Sequence, residues 1–179
     1  MDVNRIYLLI ILVLSPNVSR MSHSIKCHRR SLELFVKRTL DTKRIAEQCT
    51  SSNVTSVTLP NVEIRVAVWR NMTVPQQTDE VLSQLHLLSN ATQEANASDC
   101  ISFQLQKLNS NIKQITGLIY KFLKTDKNNT LLQDVSVSQV LSFLTNTTTD
   151  GTDIIRRYLK LLHGKVTLLL QSLRRMSCR

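Results

Sequence analysis

The sequence predicts an all-α protein, a long-chain four-helix bundle with an up-up-down-down arrangement, two long crossover loops and two disulfides. Three observations support this fold class. Four stretches place apolar residues three and four positions apart, which is the spacing of one helix face. The connections between these stretches are long, short and long, in that order. The four cysteines lie near the ends of the stretches, where disulfides would tie distant helices together.

Residues 1–24 have the pattern of a secretory signal peptide. Arg5 supplies a positive charge, the nine residues Ile6–Leu14 are apolar, and small residues that suit a cleavage site follow shortly after. A buried helix is the alternative interpretation, but the position of the run at the N-terminus favours a signal. No later stretch approaches the roughly 18–20 apolar residues of a membrane span. We therefore expect residues 25–179 to form one exported, extracellular domain without membrane insertion.

The sequence contains seven Asn-x-Ser/Thr sequons. In exported proteins such sequons are acceptors for N-linked glycans and lie on the surface. Asn17 belongs to the predicted signal peptide and leaves with it. The other six are predicted glycosylation sites: Asn53, Asn71, Asn90, Asn96, Asn128 and Asn146.

Four cysteines, an even number in an oxidising compartment, indicate two disulfides, for which three pairings exist. A zinc site is the alternative, with His23, Cys27 and His28 as ligands, but no second Cys/His pair lies at metal-binding spacing. The 179-residue chain is also long enough to bury a core without help from a metal. We therefore predict neither a metal site nor a cofactor.

The formal net charge of +10 at pH 7 calls for an acidic partner. Nucleic acid is disfavoured, because aromatic residues make up only 4% of the chain and the basic residues are dispersed over the helices. An exported protein also has little access to nucleic acid. We expect an acidic receptor surface instead, with heparan sulfate as a further acidic partner.

The first predicted helix covers residues 28–48 and is followed by Cys49. Its apolar positions are Leu32, Phe35, Val36, Thr39, Leu40 and Ile45. Residues 50–60 are poor helix formers that end in a proline, so we predict a loop there. Val62–Trp69 alternates apolar residues with others, which is a short-strand pattern. Because no partner strand is apparent, we predict that this segment packs along the bundle as an extended crossover.

The next two helices are separated by a very short link. Pro75 opens the second helix, which runs to about Asn96 with a core stripe from Val81 to Ala95. Asp99 is predicted to cap the third helix, which runs to about Lys124. The core stripe of the third helix is Ile101, Leu105, Leu108, Ile112, Ile115, Ile119 and Phe122. Residues 126–150 are polar except for Val135–Leu144, where we predict one or two additional helical turns.

The fourth predicted helix runs from Thr152 to the C-terminal Arg179. Its packing face consists of Ile155, Tyr158, Leu162, Val166, Leu169, Leu173 and Met176. A second row, Arg156, Lys160, His163 and Thr167, has the same period but points the opposite way. One helix therefore carries both a packing face and a basic face.

The connections select a topology. The first helix is about 30 Å long, and the first and last connections are each long enough to run back along the whole bundle. A connection of that length allows the two helices that it joins to be parallel. In an up-up-down-down bundle, Cys27 and Cys178 lie at one pole, while Cys49 and Cys100 lie at the other. An up-down-up-down bundle would leave Cys49 alone at its pole. We therefore predict the disulfides Cys27–Cys178 and Cys49–Cys100.

No residue pattern indicates catalysis. The histidines are scattered, and the sequence contains no Gly-x-Ser-x-Gly turn, no phosphate-binding loop and no paired carboxylates assignable to one cleft. We therefore predict that the protein is not an enzyme. A helical signalling ligand and a cationic membrane-active protein remain. Two distant disulfides and many glycans favour the ligand, because a receptor ligand presents rigid helix faces and glycans cover the rest.

Specific residues along the chain resemble a known family. These are Cys27 with Arg30 and Leu32 behind it, Cys49, Leu59–Glu63 leading to Trp69–Arg70, Leu85–Ser89, Leu162–Val166 and Cys178–Arg179. In these residues the mature chain resembles the erythropoietin and thrombopoietin family of long four-helix cytokines, and Leu162–Val166 is the most specific block. The resemblance implies a monomeric haematopoietic hormone that bridges two copies of a class I cytokine receptor and drives Janus kinase–STAT signalling.

Within the family, the cysteines resemble those of the thrombopoietin branch. Erythropoietins typically have a nearby partner for the second cysteine, and Asn53 stands at that position here. Thrombopoietins have a cysteine at the head of the third helix, as Cys100 is here, and the pair Leu59–Pro60 also resembles theirs. The resemblance therefore implies stimulation of thrombocyte and megakaryocyte production through a receptor like that of thrombopoietin. Erythropoietin-like stimulation of red-cell production is the alternative.

The chain departs from mammalian thrombopoietins at its end. It stops at Arg179, without the long Ser/Thr/Pro-rich glycosylated region that follows their helices. We expect the sequons of the helical domain to take over any stabilising or secretory role of that region.

By position, the resemblance implies two receptor-binding faces. The stronger face comprises Pro60, Arg70, Arg156, Lys160, His163 and Lys165, and the weaker face comprises Arg30, Lys37, Ser110 and Lys113. His163 stands where the family commonly has arginine, which weakens an electrostatic contact at neutral pH. Lys165 falls on the packing side of its helix, so a structural role is its alternative. For each of the other basic residues the alternative is a solvated helix face.

Overall fold

The computed structural model describes residues 30–125 and 145–177, and within these ranges four long helical segments pack together, as the sequence predicts. A two-stranded ribbon and a short helix accompany them. The elements are α1 (Arg30–Ala46), β1 (Asn53–Pro60), α2 (Val66–Asn71), α3 (Val74–Glu94), α4 (Asp99–Thr125), β2 (Thr145–Asp150), α5 (Gly151–Leu161), a π-helical turn (Leu162–Val166) and α6 (Thr167–Ser177). The predicted turns within Val135–Leu144 lie outside the described residues.

Helix α4 forms the centre of the core. All seven residues of its predicted stripe, from Ile101 to Phe122, are buried. They pack mainly against α1 and α3, and also against α5 and α6. Each fully buried Leu or Ile side chain contributes about 1.5–3 kcal/mol of transfer free energy, so this stripe is a large share of what holds the bundle together.

The core stripe of α1 differs from the prediction. Leu40 and Ile45 are 48% and 37% exposed, whereas Thr39 is buried as predicted and Thr42 is buried in addition. The Thr39 hydroxyl donates to the Phe35 carbonyl at 2.8 Å, and the Thr42 hydroxyl donates to a carbonyl one turn earlier at 2.9 Å. These bonds satisfy the hydroxyls, so threonine is tolerated on the face that packs against α4.

Helix α3 begins with a capping box. The Thr73 hydroxyl accepts from the Gln76 backbone N–H, and the Gln76 side chain accepts from the Thr73 backbone. Pro75 lies in the first turn, as predicted, where its missing N–H leaves no bond unmade. The link to α4 is short, and Asp99, predicted to cap α4, is its first helical residue.

The prediction for the first crossover is wrong in two places. Asn53–Pro60 is not a loop but strand β1, which buries Val54, Val57 and Leu59. Val62–Trp69 is not extended throughout, because α2 begins inside it. The α2 helix is anchored by Trp69, which is buried and whose carbonyl accepts from the Gln77 side chain at 2.9 Å.

The partner of β1 is β2, a strand that the sequence does not reveal. The two strands pair antiparallel, with Leu59 opposite Asn146 and Thr58 opposite Thr147. Strand β2 is entirely polar and half-exposed to exposed, so it lacks the apolar alternation by which strands are recognised. The ribbon joins the two crossover connections to each other.

Gly151, at the start of α5, marks a close approach to the first turn of α4. An added Cβ would lie 2.7 Å from Ile101 Cγ2 and 3.1 Å from Val54 Cγ1. The Gly151 N–H donates to the Ser52 carbonyl at 2.8 Å. A larger residue would therefore push the beginnings of α4 and α5 apart.

The predicted disulfide Cys49–Cys100 is present, with a Cα–Cα distance of 5.9 Å. It joins the residues after the end of α1 to the first turn of α4. The second predicted pair, Cys27–Cys178, lies outside the described residues.

The fourth predicted helix is not regular throughout. It is interrupted by the π-helical turn Leu162–Val166, after which α6 continues. The Thr167 N–H donates to the carbonyls of Leu162 and Gly164, and the Thr167 hydroxyl also donates to the Leu162 carbonyl at 2.6 Å. The predicted packing face remains buried on both sides of the turn, from Ile155 to Leu173.

Candidate receptor-binding surfaces

The predicted basic row on the last helix lies on the surface. Arg156, Lys160 and His163 are all exposed and follow one another at helical spacing. Arg156 pairs with Asp150 at 3.6 Å, and both side chains are roughly half exposed, so this ion pair contributes little to stability. The row therefore presents positive charge to solvent.

Asp150 fixes the start of the helix that carries this row. Its carboxylate accepts from the Thr152 N–H and hydroxyl, each at 2.8 Å, and so caps α5. Partial burial alone would raise the pKa of Asp150. Hydrogen bonds from Thr152 and Ser52 and the charge of Arg156 outweigh burial and lower the pKa of that carboxyl below its usual value.

The first crossover lies alongside this helix. The Arg157 guanidinium donates to the Pro60 carbonyl at 3.4 Å, and an added Cβ on Gly164 would lie 2.7 Å from Ile64. Pro60 itself is buried. Arg70 is exposed on α2, further along the crossover. Crossover and helix thus form a continuous surface from Arg157 to Gly164.

Lys165 does not lie on that surface. Its side chain is 5% exposed, and its ammonium is 2.6 Å from a Glu80 carboxylate oxygen on α3, which is 12% exposed. The same Glu80 oxygen accepts from the Gln84 amide at 3.3 Å, and that amide also donates to the Asn61 carbonyl at 3.1 Å. This polar network connects the π-helical turn, α3 and the crossover. Lys165 therefore stabilises the interior beneath the surface that carries the basic row.

On the helical wheel Lys165 lies beside Tyr158 and Leu162, and this position predicts that its side chain is on the packing side. Its partner Glu80 could not be identified in advance, because nothing in the residue spacing of α3 marks the residue that faces the π-helical turn. A buried ammonium needs an opposite charge, and this network supplies it.

The predicted weaker face lies on α1 and α4. Lys37, Ser110 and Lys113 are all exposed, and Arg30 is the first residue of α1, with its side chain outside the described residues. The two helices are joined beside these residues by a 2.9 Å bond from Arg38 to Gln114.

A second, buried connection holds α1 and α4 together. The Asn111 amide nitrogen donates to the Thr39 hydroxyl at 2.7 Å and to the Phe35 carbonyl at 3.1 Å. Both partners lie on the buried face of α1. The relative position of the residues on the weaker face is therefore fixed by bonds in the interior.

The described residues contain no candidate metal site. No group of three or more His, Cys, Asp or Glu side chains within them lies close enough to hold a metal ion. Burial raises the pKa of Tyr158, whose hydroxyl is enclosed by the core, and also raises the pKa of Asp79. The alternative zinc ligands His23, Cys27 and His28 lie outside the described residues. None of the described helices has the length and apolarity needed to cross a membrane.

Most predicted glycosylation sites that the structure describes are accessible. Asn53, Asn71, Asn96 and Asn146 are exposed, and Asn90 on α3 is half-buried. Asn128 lies outside the described residues.

Comparison with known proteins supports the family that the residues resemble. The family described as Erythropoietin/thrombopoietin matches residues 24–179. Erythropoietin of Sus scrofa is 28% identical over 154 residues, which cover 79% of this chain and 78% of that protein. Erythropoietin of Felis catus is 25% identical with the same coverage, and erythropoietin of Danio rerio is 28% identical over 94 residues, or 51% of each chain. These relatives do not favour the thrombopoietin branch. Because the family match spans most of the sequence, the chain belongs to the erythropoietin/thrombopoietin family of cytokines.

Proposed function

We propose that this protein is a secreted hormone that brings together two copies of a class I cytokine receptor, as one monomeric ligand, and stimulates red-cell production through Janus kinase–STAT signalling. The match to the family over residues 24–179 carries this proposal. The relatives named above are erythropoietins, so red-cell production is the first choice within the family. The predicted signal peptide and the exposed sequons support export.

We propose an up-up-down-down arrangement of the four long helical segments. The Cys49–Cys100 disulfide brings the end of α1 to the start of α4, which makes these two helices antiparallel. The short link after α3 makes α3 and α4 antiparallel as well. Gly151 packs on the first turn of α4, which places the starts of α4 and α5 at one pole. In this arrangement Cys27 and Cys178 share the opposite pole and pair with each other.

The stronger receptor-binding face in this proposal centres on Arg156, Lys160 and His163, with Arg70 on the crossover. Pro60 and Lys165 lie beneath this exposed face. Pro60 is the last residue of strand β1, and Lys165 belongs to the buried polar network. An acidic receptor surface would gain from the exposed positive charge, both in its rate of association and in specificity. The weaker face comprises Arg30, Lys37, Ser110 and Lys113.

A thrombopoietin-like activity is the second candidate, and the disulfide favours it. Cys49 pairs with Cys100 at the head of α4, and not with a residue close by in the sequence. This pairing resembles the thrombopoietin branch of the family. Receptor choice therefore separates the two candidates.

The test of receptor choice uses cells that carry either the erythropoietin receptor or the thrombopoietin receptor from the same source, with STAT phosphorylation as the readout. We expect activation of the erythropoietin receptor at a much lower dose. Preferential activation of the thrombopoietin receptor would support the second candidate. A response in cells that carry neither receptor would point instead to a cationic membrane-active protein.

The test of the two faces uses charge reversal. Lys160→Glu should weaken the first binding event, chiefly through charge, so the loss should shrink as salt is added. Lys113→Glu should leave binding to one receptor chain nearly intact but abolish signalling. Lys124→Glu, an exposed residue of α4 about 16 Å from Lys113 along the helix, is the control. Equal loss of single-receptor binding in the Lys160 and Lys113 variants would show that the assignment of faces is wrong.

Heparan sulfate is proposed as an additional acidic partner because of the net charge of +10. We expect the protein to be retained on immobilised heparin at physiological salt, and we expect Lys160→Glu to reduce this retention.

Export is tested by glycosidase treatment of protein from a eukaryotic host. An unchanged electrophoretic mobility would contradict the predicted glycosylation.

A further inference from the structure

A groove of about 300 Å³ lies between α1 and α4, and most of the side chains that line it are polar or charged. Its volume is at the lower end of the range of small-ligand sites, roughly 300–1,000 Å³. Of the described residues that are assigned above to a receptor-binding face, Ser110 is the one that lines the groove. The other lining residues therefore have no function so far.

Two buried amide oxygens belong to this groove. Gln104 and Asn111 are 3% and 6% exposed, and the amide oxygen of each has no hydrogen-bond partner among the described residues. The Asn111 nitrogen donates to Thr39 and Phe35, so exchanging its oxygen for its nitrogen would break both bonds. A buried acceptor without a donor is unfavourable. The groove therefore favours a ligand with neutral donors, such as hydroxyl or amide N–H groups.

Two cations line the same groove. The Arg38 guanidinium has five N–H donors, and one of its nitrogens donates to the Gln114 amide oxygen at 2.9 Å. The Lys107 ammonium lies 4.3 Å from the centre of the Phe103 ring, which is 54% exposed. Asp41 is the one acidic residue of the lining, so positive charge predominates. The groove therefore also favours an anion.

We infer that this groove binds an acidic saccharide, and that its occupant is a short stretch of a heparan sulfate chain. Sugar hydroxyl and amide groups are donors for the oxygens of Gln104 and Asn111, and sulfate and carboxylate groups pair with Arg38 and Lys107. The C–H groups of a sugar ring suit Ile45, which lines the groove and is 37% exposed. This inference rests on the heparan sulfate binding proposed above and assigns it to a site.

Dispersed charge attraction is the alternative, because a net charge of +10 would attract heparan sulfate without a defined site. Such attraction depends on the number of charges and not on the residues that carry them. It also gives no role to a neutral side chain. A defined site, in contrast, depends on Arg38 more than on an arginine elsewhere, and it depends on the uncharged Gln104.

The test measures the binding of a heparin-derived hexasaccharide to the full chain at physiological salt. Arg38→Gln removes a lining charge, and its control Arg44→Gln removes the same charge from an exposed position of α1 outside the groove. Gln104→Met removes a lining acceptor, and its control Gln106→Met lies at an exposed position of α4 outside the groove. We expect both groove variants to bind about tenfold more weakly and both controls to bind nearly like the wild type.

Added salt distinguishes the two contacts. The loss in Arg38→Gln should shrink as salt is added, whereas the loss in Gln104→Met should persist, because salt does not screen a neutral hydrogen bond. Gln104→Met should also melt at or above the wild-type temperature, since it removes an unsatisfied buried oxygen. Sialyllactose, an acidic saccharide of the kind that N-linked glycans carry, is the second probe. Tighter binding of sialyllactose than of the hexasaccharide would overturn heparan sulfate as the occupant.

Equal losses in Arg38→Gln and Arg44→Gln, with unchanged binding by Gln104→Met, would overturn the inference but leave heparan sulfate as a partner held by dispersed charge. A lower melting temperature of Gln104→Met would also overturn it, since ordered water would then already satisfy the oxygen. If the wild type binds neither heparin nor the hexasaccharide, the site and the proposed heparan sulfate partner both fail. Receptor activation by the same preparation of wild-type protein tests the hormone function separately.

Discussion

The buried pair between Lys165 and Glu80 provides the sharpest test of how the stronger face is built. Lys165→Met leaves the Glu80 carboxylate almost enclosed, with the Gln84 amide as its remaining partner among the described residues. Breaking a buried ion pair from one side costs about 3–5 kcal/mol, and the residual exposure of Glu80 places this case near the lower end. For a domain of this size, a loss of about 3 kcal/mol lowers the melting temperature by about 6–12 °C.

Removal of both charges should reverse most of this loss. In the double variant Glu80→Gln with Lys165→Met, no buried charge remains, so stability should return to within about 1 kcal/mol of the wild type. Because the network also holds the Asn61 carbonyl, either single variant should weaken binding of the first receptor ectodomain, and the double variant should recover much of it.

The assays are thermal denaturation and binding to immobilised receptor ectodomain. Lys160→Met is the control, since this exposed lysine should lose binding without losing stability. A buried, structural role of Lys165 is contradicted if Lys165→Met loses binding at an unchanged melting temperature while Glu80→Gln keeps both binding and stability. That result would mean that the Lys165 ammonium leaves the interior and contacts the receptor directly.

Three further predictions follow from the described geometry and the cysteines. Asp150→Ala should cost about 1 kcal/mol at neutral pH through loss of the α5 cap. Because the folded pKa of Asp150 lies below its usual value of 3.8, the wild-type advantage should be complete above that pH and vanish as the pH falls through the folded pKa. Melting curves of both proteins between about pH 2 and pH 7 measure this, and a constant difference over the whole range would contradict it. Tyr158→Phe should leave the melting temperature unchanged or raise it, since the buried hydroxyl has no hydrogen-bond partner among the described residues, and a clear decrease would reveal a bond to that hydroxyl. Non-reducing peptide mapping should recover Cys27 linked to Cys178, whereas a peptide linking Cys27 to Cys49 would show that the helices are arranged differently.

The helices were predictable because apolar periodicity reflects burial directly. Every residue of the predicted α4 stripe is a branched or aromatic apolar residue, and each one is buried. The prediction failed in part on α1, where Leu40 and Ile45 are exposed and Thr42 joins the predicted Thr39 in the core. Hydropathy undervalues a buried threonine whose hydroxyl is bonded within its own helix.

The ribbon and the short helix depend on tertiary contacts that local sequence does not encode. Strand β2 is polar throughout, and only its pairing with β1 makes it a strand. The α2 helix lies in a stretch rich in β-branched residues, which favours a strand. Packing of Trp69 into the core stabilises a helix there instead. In the candidate site, the exposure of the basic row could be predicted, because its residues lie on the side of the helix opposite the packing face. The partner of Lys165 could not, because it belongs to a different helix.

The π-helical turn acts as a phase shift within the last helix. Its hydrogen bonds span five residues and not four, so it accommodates one extra residue, and one residue corresponds to about 100° of rotation in an α-helix. Deleting one residue between Leu162 and Val166 would therefore restore a regular helix without turning α6 relative to α5. Leu169 and Leu173 would stay in the core, and the basic row would also stay in place. The π-helical turn thus absorbs the extra residue, so that the helix displays Lys160 to solvent in its first half and still aligns its second half with the bundle.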